Sequence, residues 1–352
     1  MNEGRYYRQA RFNGVGADGQ ERLASARVAV VGIGALGSVS ANVLARAGVG
    51  SLRLIDRDIV DLSNLQRQVL FTEQDAREAR PKAVAAAEFL RTVNSEIDIE
   101  AVVHEVDAQN VERLIGDADV VVDGSDNFEL RYLLNDACVK RGIPWIYGGA
   151  LGAAGATATI VPGTTGCLEC LIGAMPDPGS VETCATAGVL AMVTGVVASI
   201  QAAEALKLLV GCPARSGMLY IDLWTGNHSS MRRNPDPACR VCGKREFPYL
   251  NNSQTTRVRA LCGQDTVQVR PAADRTAGSH AFNNCLPGAS FPWLERLAER
   301  LQRAGDVRVT DQVVRLRTER LELTVFADGR ALIRGARDDA DALRLYAEYV
   351  GM

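Results

Sequence analysis

Gly32-Ile33-Gly34-Ala35-Leu36-Gly37 sets three glycines at the spacing of a phosphate-binding turn, after the apolar run Arg27–Val31 and before a helix-forming stretch. Glycine suits that place because the turn is tight and backbone N–H groups at a helix N-terminus must come close to an anion. Asp56 closes the next apolar run, where a carboxylate takes the ribose hydroxyls of an adenosine-bearing ligand. These features alone do not separate NAD from ATP. The polar segment that follows, from Asp56 to Ser63-Asn64 and Arg67-Gln68, does so, because a dehydrogenase normally leads here into an ordinary helix. Asn64 and Arg67 lie one turn apart if the segment is helical, so both could face one ligand. Lys82 adds a compact cation, and Asp126-Asn127 follows the apolar run Val120–Val122, at a strand end where ligands of open α/β sheets sit. Two cations for phosphate, a carboxylate for Mg²⁺ and an amide form the inventory of phosphoryl or nucleotidyl transfer. Taken singly, each reads as a solvated surface group; taken together, they point to a site.

Two further clusters carry sulfur chemistry. Cys167-x-x-Cys170 and Cys239-x-x-Cys242 each lie beside glycine or proline, and four thiolates can close a tetrahedral zinc site with no position left for substrate. A redox CxxC or two unrelated pairs are the competing readings. Cys184 sits in a Gly/Pro-rich connection before a helix, where a thiolate is favoured if it lies near the helix N-terminus. It is either a reactive thiol or a spectator.

The elements that must position these groups alternate. Strands are expected at Arg27–Val31, Ser51–Ile55, Asp98–Val106, Val120–Val122 and Pro144–Tyr147. Helices are expected at Ala35–Ala47, Pro81–Val93 and Phe128–Arg141. Such alternation predicts an α/β, Rossmann-like, mostly parallel sheet flanked by helices. Ala185 to Ala203 has no charged residue and about the length of a membrane span. Its polar residues, and the stripe Gln201, Glu204, Lys207 beyond it, predict a buried core helix instead. Leu219–Trp224 reads as a strand before the second cysteine pair. Residues 247–352 read as a small α+β domain after a first domain spanning 1–246. The Asp328-Gly329 hairpin signal and a last helix, Asp338–Val350, belong to it, with Leu343, Tyr346, Ala347 and Val350 on the packed face.

Composition bounds the class. The 352 residues are 47% hydrophobic with a net charge of −3, which excludes a disordered chain and gives no drive toward nucleic acid or an anionic membrane. Nine cysteines, an odd number, and a polar start without a secretory apolar region predict a reducing, cytoplasmic setting.

In order along the chain, Arg5-Tyr6-x-Arg8-Gln9, the glycine loop, Ser63-Asn64-Leu65-x-Arg67-Gln68, Pro81-Lys82, Ser125-Asp126-Asn127, the cysteine pairs and Thr183-Cys184-x-x-Ala187-Gly188-Val189 resemble the ThiF/MoeB family. These are bacterial relatives of ubiquitin-activating enzymes, and the match runs from about Arg5 to Gly243. The resemblance implies ATP- and Mg²⁺-dependent adenylation of the C-terminal glycine of a ubiquitin-like sulfur carrier ending in Gly-Gly. The pathways it implies are thiamine thiazole, molybdopterin or thiolation. It also implies that Asp56 holds the ribose, that Asn64, Arg67 and Lys82 contact the phosphates, and that Asp126 coordinates Mg²⁺. By the same resemblance Arg8 reaches into a partner subunit, giving a homodimer, the four cysteines hold Zn²⁺, and Cys184 matches a cysteine that in some relatives joins the carrier covalently. Activation of a peptide or other modifier, an NAD-dependent oxidoreductase and a silent binding scaffold are the competing classes. The oxidoreductase leaves Asn64, Arg67, Lys82 and the paired cysteines unexplained.

Overall fold

The computed structural model describes residues 4–176, 187–251, 258–260, 266–270 and 291–350. The chain divides into two compact units, Met1–Glu73 with Lys82–Ser253 and Gln74–Pro81 with Gln254–Met352.

The first unit holds strands β1 (Arg27–Val31), β2 (Ser51–Ile55), β3 (Asp98–Val102), β4 (Val120–Asp123), β5 (Trp145–Leu151), β6 (Ala154–Ile160), β7 (Met218–Asp222) and β8 (Asn227–Met231). They form one sheet in the order β3-β2-β1-β4-β5-β6-β7-β8, parallel from β3 through β5 and antiparallel from β5 to β8. Burial explains the apolar runs: Val28 to Val31 and Val120 to Val122 are inaccessible on both faces, as parallel strands between helix layers must be. The order reverses between β1 and β4, which opens a crevice at the carboxyl ends of the strands.

Helices α1 (Tyr7–Ala10), α2 (Gly16–Ser25), α3 (Ala35–Ala47), α4 (Glu73–Arg77), α5 (Lys82–Val93), α6 (Val111–Ile115), α7 (Phe128–Arg141), α8 (Leu168–Ile172), α9 (Ala191–Leu209) and α10 (Pro248–Asn251) follow in chain order. Gly48 and Gly142 end α3 and α7 in the left-handed region, the geometry that glycine adopts without a Cβ clash. Helix α9 is long and apolar enough to cross a membrane, yet it packs against α3 and strands β4 to β6. Its polar stripe faces inward. Gln201 is fully buried and donates to the carbonyls of Asp123 (2.7 Å) and Ile146 (3.1 Å), while Glu204 accepts from Thr159, Lys207 and the Arg215 N–H.

The β5–β6 hairpin extends well past the expected strand at Tyr147. Its Gly- and Ala-rich sequence lacks the branched residues that mark strands, and packing explains why. A Cβ at Gly148 would lie 2.4 Å from Gln201 Nε2, and one at Gly155 would lie 2.5 Å from a Val197 methyl. Glycine here admits helix α9 against the sheet. Strand β8 was also not expected, because every one of its residues is exposed and no alternation marks it.

The second unit is a six-stranded antiparallel sheet in the order β11-β12-β13-β14-β10-β9. Besides α4, most of which belongs to this unit, its described elements are β9 (Val258–Ala260), β10 (Thr266–Val269), α11 (Pro292–Leu301), β11 (Asp306–Val309), β12 (Val313–Arg317), β13 (Glu322–Phe326), β14 (Ala331–Arg334) and α12 (Asp339–Tyr349). It has its own core, with Leu294, Leu297 and Leu301 of α11 meeting Leu316, Leu323 and Ile333. The Asp328-Gly329 turn forms as expected, with Gly329 at φ 83°. On α12 the buried positions are Ala342 and Tyr346, while Leu343 is exposed. The Tyr346 hydroxyl donates to the Gly329 carbonyl, and this fixes which face turns inward.

The tightest point of the first sheet is the crevice floor. A Cβ at Gly37 would lie 1.8 Å from the Gly32 carbonyl oxygen, and one at Gly124, just after β4, would lie 2.2 Å from the same oxygen. Gly124→Ala is therefore expected to destabilise the fold by about 2–3 kcal/mol, the cost of overpacking a closed contact. Urea unfolding measures it, and an unchanged midpoint contradicts the assignment.

Candidate active site at the β1/β4 crevice

Gly32 leaves β1 at φ 87° with its N–H on the Ile55 carbonyl, so the chain turns sharply before α3 begins at Ala35. Gly34, the residue before α3, differs from its neighbours: a Cβ there would meet nothing nearer than 3.8 Å. Packing does not demand glycine at that position. The space beside it lies next to the first turn of α3, where N–H groups have no partner within the helix. Asp56 braces this turn, its carboxylate accepting from the Ile33 N–H (2.6 Å) and the Asp58 N–H (2.7 Å). Burial raises its pKa, opposed chiefly by Lys82.

Lys82 begins α5 after Pro81. Its N–H donates to the Asp58 carbonyl (2.9 Å), and its Nζ lies 3.4 Å from Asp58 Oδ2. The side chain is buried, which by itself would lower the ammonium's pKa. The carboxylates of Asp58, Asp56 and Asp126 outweigh that effect and hold it above its usual value. Sequence reasoning singled out neither Asp58 nor Arg57. Arg57 pairs with Glu105 at 2.7 Å and Asp58 at 3.6 Å, and these two together with Asp126 and Asp56 raise its pKa against burial. The signal available was the charge triplet Asp56-Arg57-Asp58 at the end of an apolar strand.

Across the crevice, Asp123 ends β4 fully buried, and its Oδ1 accepts from Ser125 N (2.9 Å) and Ser125 Oγ (2.6 Å). The next residue, Asp126, is exposed. Asn127 caps α7, its Oδ1 accepting from Leu130 N at 2.9 Å, so its amide oxygen is engaged within the fold. The segment after Asp56 forms only a short 3₁₀ turn, Leu62–Asn64, rather than a continuous helix. Within it Ser63 is held by Asp61, and Arg67 Nη1 reaches back to the Ser63 carbonyl at 3.0 Å. Asn64 and Gln68 are both buried with an amide oxygen that has no hydrogen-bond partner among the described residues. Gln68, whose amide is the group nearest the open space beside Gly34, escaped sequence reasoning as a site residue although it lies in a recognised motif.

The N-terminal motif is tied down on either side of Arg8. Arg5 donates to the Val93 carbonyl, Tyr6 accepts from Asn94, and Gln9 donates to the Ala47 carbonyl. Arg8 is exposed on α1 and makes no hydrogen bond or ion pair with Asp56, Lys82 or Asp126. Cys184 lies outside the described residues. A separate cavity of about 490 Å³, lined by Arg53, Glu112, Arg113, Gly116, Asp117 and Arg141, opens beside the segment that enters β4. That segment is at the opposite strand end from the crevice.

The cysteine pairs converge. The sulfurs of Cys167, Cys170, Cys239 and Cys242 all lie within 4.8 Å of one another, with Cys170–Cys242 at 3.4 Å and Cys167–Cys239 at 3.6 Å. Zn–S bonds of about 2.3 Å in a tetrahedron place sulfurs just under 4 Å apart, so the cluster fits zinc. Nearby, Asp136 Oδ2 accepts from the Tyr249 and Leu250 N–H groups, which holds α10 against α7. Burial pushes the Asp136 pKa up to about 7.

Metal analysis is expected to find one zinc per chain, with Cys239→Ser losing it and unfolding at lower temperature. Removing the metal removes a cross-link between distant segments. Equal zinc in the variant contradicts the assignment.

The ThiF family matches residues 6–241. Over 351 residues the chain is 42% identical to a protein of Bacillus subtilis (strain 168) named "Sulfur carrier protein ThiS adenylyltransferase", covering 99% of both chains. It is 43% identical over 242 residues to the "SAMP-activating enzyme E1" of Haloferax volcanii, covering 68% of this chain and 88% of that one. Among solved structures, E. coli MccB with ATP superimposes with a TM-score of 0.61 at 27% identity, covering 69% of this chain and 75% of the other.

Proposed function

The chain belongs to the ThiF family, and from that premise we propose that it adenylates the C-terminal glycine carboxylate of a ubiquitin-like sulfur carrier with ATP, releasing pyrophosphate. The full-length likeness to a ThiS adenylyltransferase favours a thiamine-type carrier among the thiamine, molybdopterin and thiolation pathways. The observation that carries the reading is the placement of Lys82. It is a buried ammonium at the crevice, held charged by Asp56, Asp58 and Asp126, beside a glycine turn with open space at Gly34. A polyphosphate makes direct use of that cation, and the triphosphate of ATP carries more negative charge for it to meet than the pyrophosphate of a dinucleotide.

The chemistry asks little covalent work of the protein. The carrier's carboxylate is already a nucleophile, so no general base is required. What matters is holding two anions together and stabilising charge on the α-phosphate and the leaving pyrophosphate. The start of α3 receives phosphate on its N–H groups, with Gly32, Gly34 and Ala35 admitting the backbone approach. Asp56 keeps that turn in shape and offers its remaining lone pairs to the ribose. Lys82, Arg67, Asn64 and Ser63 line the phosphate path, with Asn127 beside it. Mg²⁺, held by the exposed carboxylate of Asp126, would neutralise charge on the phosphate oxygens. Zn²⁺ in the Cys167, Cys170, Cys239 and Cys242 cluster would be structural. Arg8, exposed while its motif is anchored, would complete the site of a second copy in a homodimer, and Cys184 would take part in later sulfur transfer. The setting is cytoplasmic, with neither nucleic acid nor membrane as partner.

ATP–pyrophosphate exchange against a panel of carriers ending in Gly-Gly tests this reading. Exchange is expected with at least one carrier, and exchange with none together with NAD-dependent hydride transfer overturns it. In the same assay Asp126→Ala is expected to lower exchange by about 10³-fold, roughly 4 kcal/mol of transition-state stabilisation. Exchange at the wild-type rate refutes its metal role.

A further inference from the structure

Resting on the adenylation reading, we propose that Arg131 is a positioning residue that sets Asp126 for its divalent cation, acting through the Ser125 peptide. Asp126 is exposed, and among the described residues its side chain receives a 3.5 Å contact from Asn127 Nδ2 while its charge acts on Lys82 and Arg57. The backbone that precedes it sets where the carboxylate starts from, and that backbone is clamped from both sides. Asp123 takes the Ser125 N–H and hydroxyl. Arg131, one turn into α7, donates from Nη2 to the Ser125 carbonyl at 2.8 Å, while its Nε lies 3.4 Å from Asp123 Oδ2.

The guanidinium is itself fixed. Arg131 is 7% exposed and lies 5.4 Å from the ring centre of Phe128 and 5.3 Å from that of Tyr147. A buried Arg–Asp pair is a poor source of stability, because desolvation offsets its Coulomb gain. What this one provides is geometry: a rigid planar fork joining the end of β4 to the peptide that presents Asp126. Lysine keeps the charge but cannot make both contacts at once.

Binding of a non-hydrolysable ATP analogue, measured by calorimetry with and without Mg²⁺, reads this role. Wild type is expected to bind more tightly with Mg²⁺. Arg131→Lys is expected to raise the Mg²⁺ concentration giving half of that gain by about tenfold, the usual effect of removing a group that orients a metal ligand. Its Mg²⁺-free affinity should stay within about twofold of wild type on this mechanism. A merely structural role would weaken both measurements together and leave their ratio unchanged, and that result overturns the proposal. Phe128→Leu removes one face of the aromatic sandwich, and a smaller shift in the same direction is expected. It serves where Arg131→Lys does not fold, as judged by unfolding midpoint and zinc content, and a wild-type Mg²⁺ response from it then overturns the proposal. Asp126→Ala separates the two readings. Loss of the Mg²⁺ gain there, with a wild-type response in Arg131→Lys, refutes the positioning role alone. No Mg²⁺ gain in wild type removes the metal role of Asp126, and that of Arg131 with it.

Discussion

Backbone meeting backbone at the β1/β4 reversal is the constraint on which the rest depends. Gly32, Gly37 and Gly124 approach so closely that a single Cβ on Gly37 or Gly124 would penetrate the Gly32 carbonyl. That contact lets two strand ends diverge into two turns facing one crevice. Each turn is then shaped by a buried carboxylate at a strand end. Asp56 takes N–H groups from Ile33 and Asp58, and Asp123 takes the Ser125 N–H and hydroxyl. Burial raises the pKa of both carboxylates, so their desolvation is a cost that the neighbouring N–H groups and cations offset.

Charge is arranged along the same crevice. Lys82 stands among three carboxylates, and Arg57 among four acids including Glu105. In a low-dielectric setting such groups hold one another in place, so that on the proposed function the cations would be oriented before a polyphosphate arrives. The small net charge of the chain conceals this arrangement.

Beyond the crevice, three devices hold distant chain segments. Helix α9 lies against the sheet only because Gly148 and Gly155 give it room, and Gln201 then donates to the carbonyls of Asp123 in β4 and Ile146 in β5. The four cysteine sulfurs gather the segment after β6 and the segment after β8. Asp136 does the same for α10 through two backbone N–H groups, at the cost of a raised carboxyl pKa. The second unit has a core of its own, in which α11 and α12 close on its sheet.

Much of the fold was legible in the sequence because parallel strands between helix layers are apolar on both faces and glycine loops announce their helices. The cysteine cluster was legible for a similar reason: metal spacing is local within each pair. Strands β6 and β8 were not, since one is made of small residues selected by a helix distant in sequence and the other is exposed on both faces. Of the candidate site, the sequence by itself determined which chemical types meet at the crevice, namely glycines, Asp56, Lys82 and Asp126, because residue type is written one position at a time. Only the tertiary structure decided their partners: that Asp58 rather than a distant acid meets Lys82, that Asn127 caps a helix, and that Arg131 and Asp123 shape the turn before Asp126. Those roles arise from burial and from strands brought side by side, and neither is written at any single position of the chain.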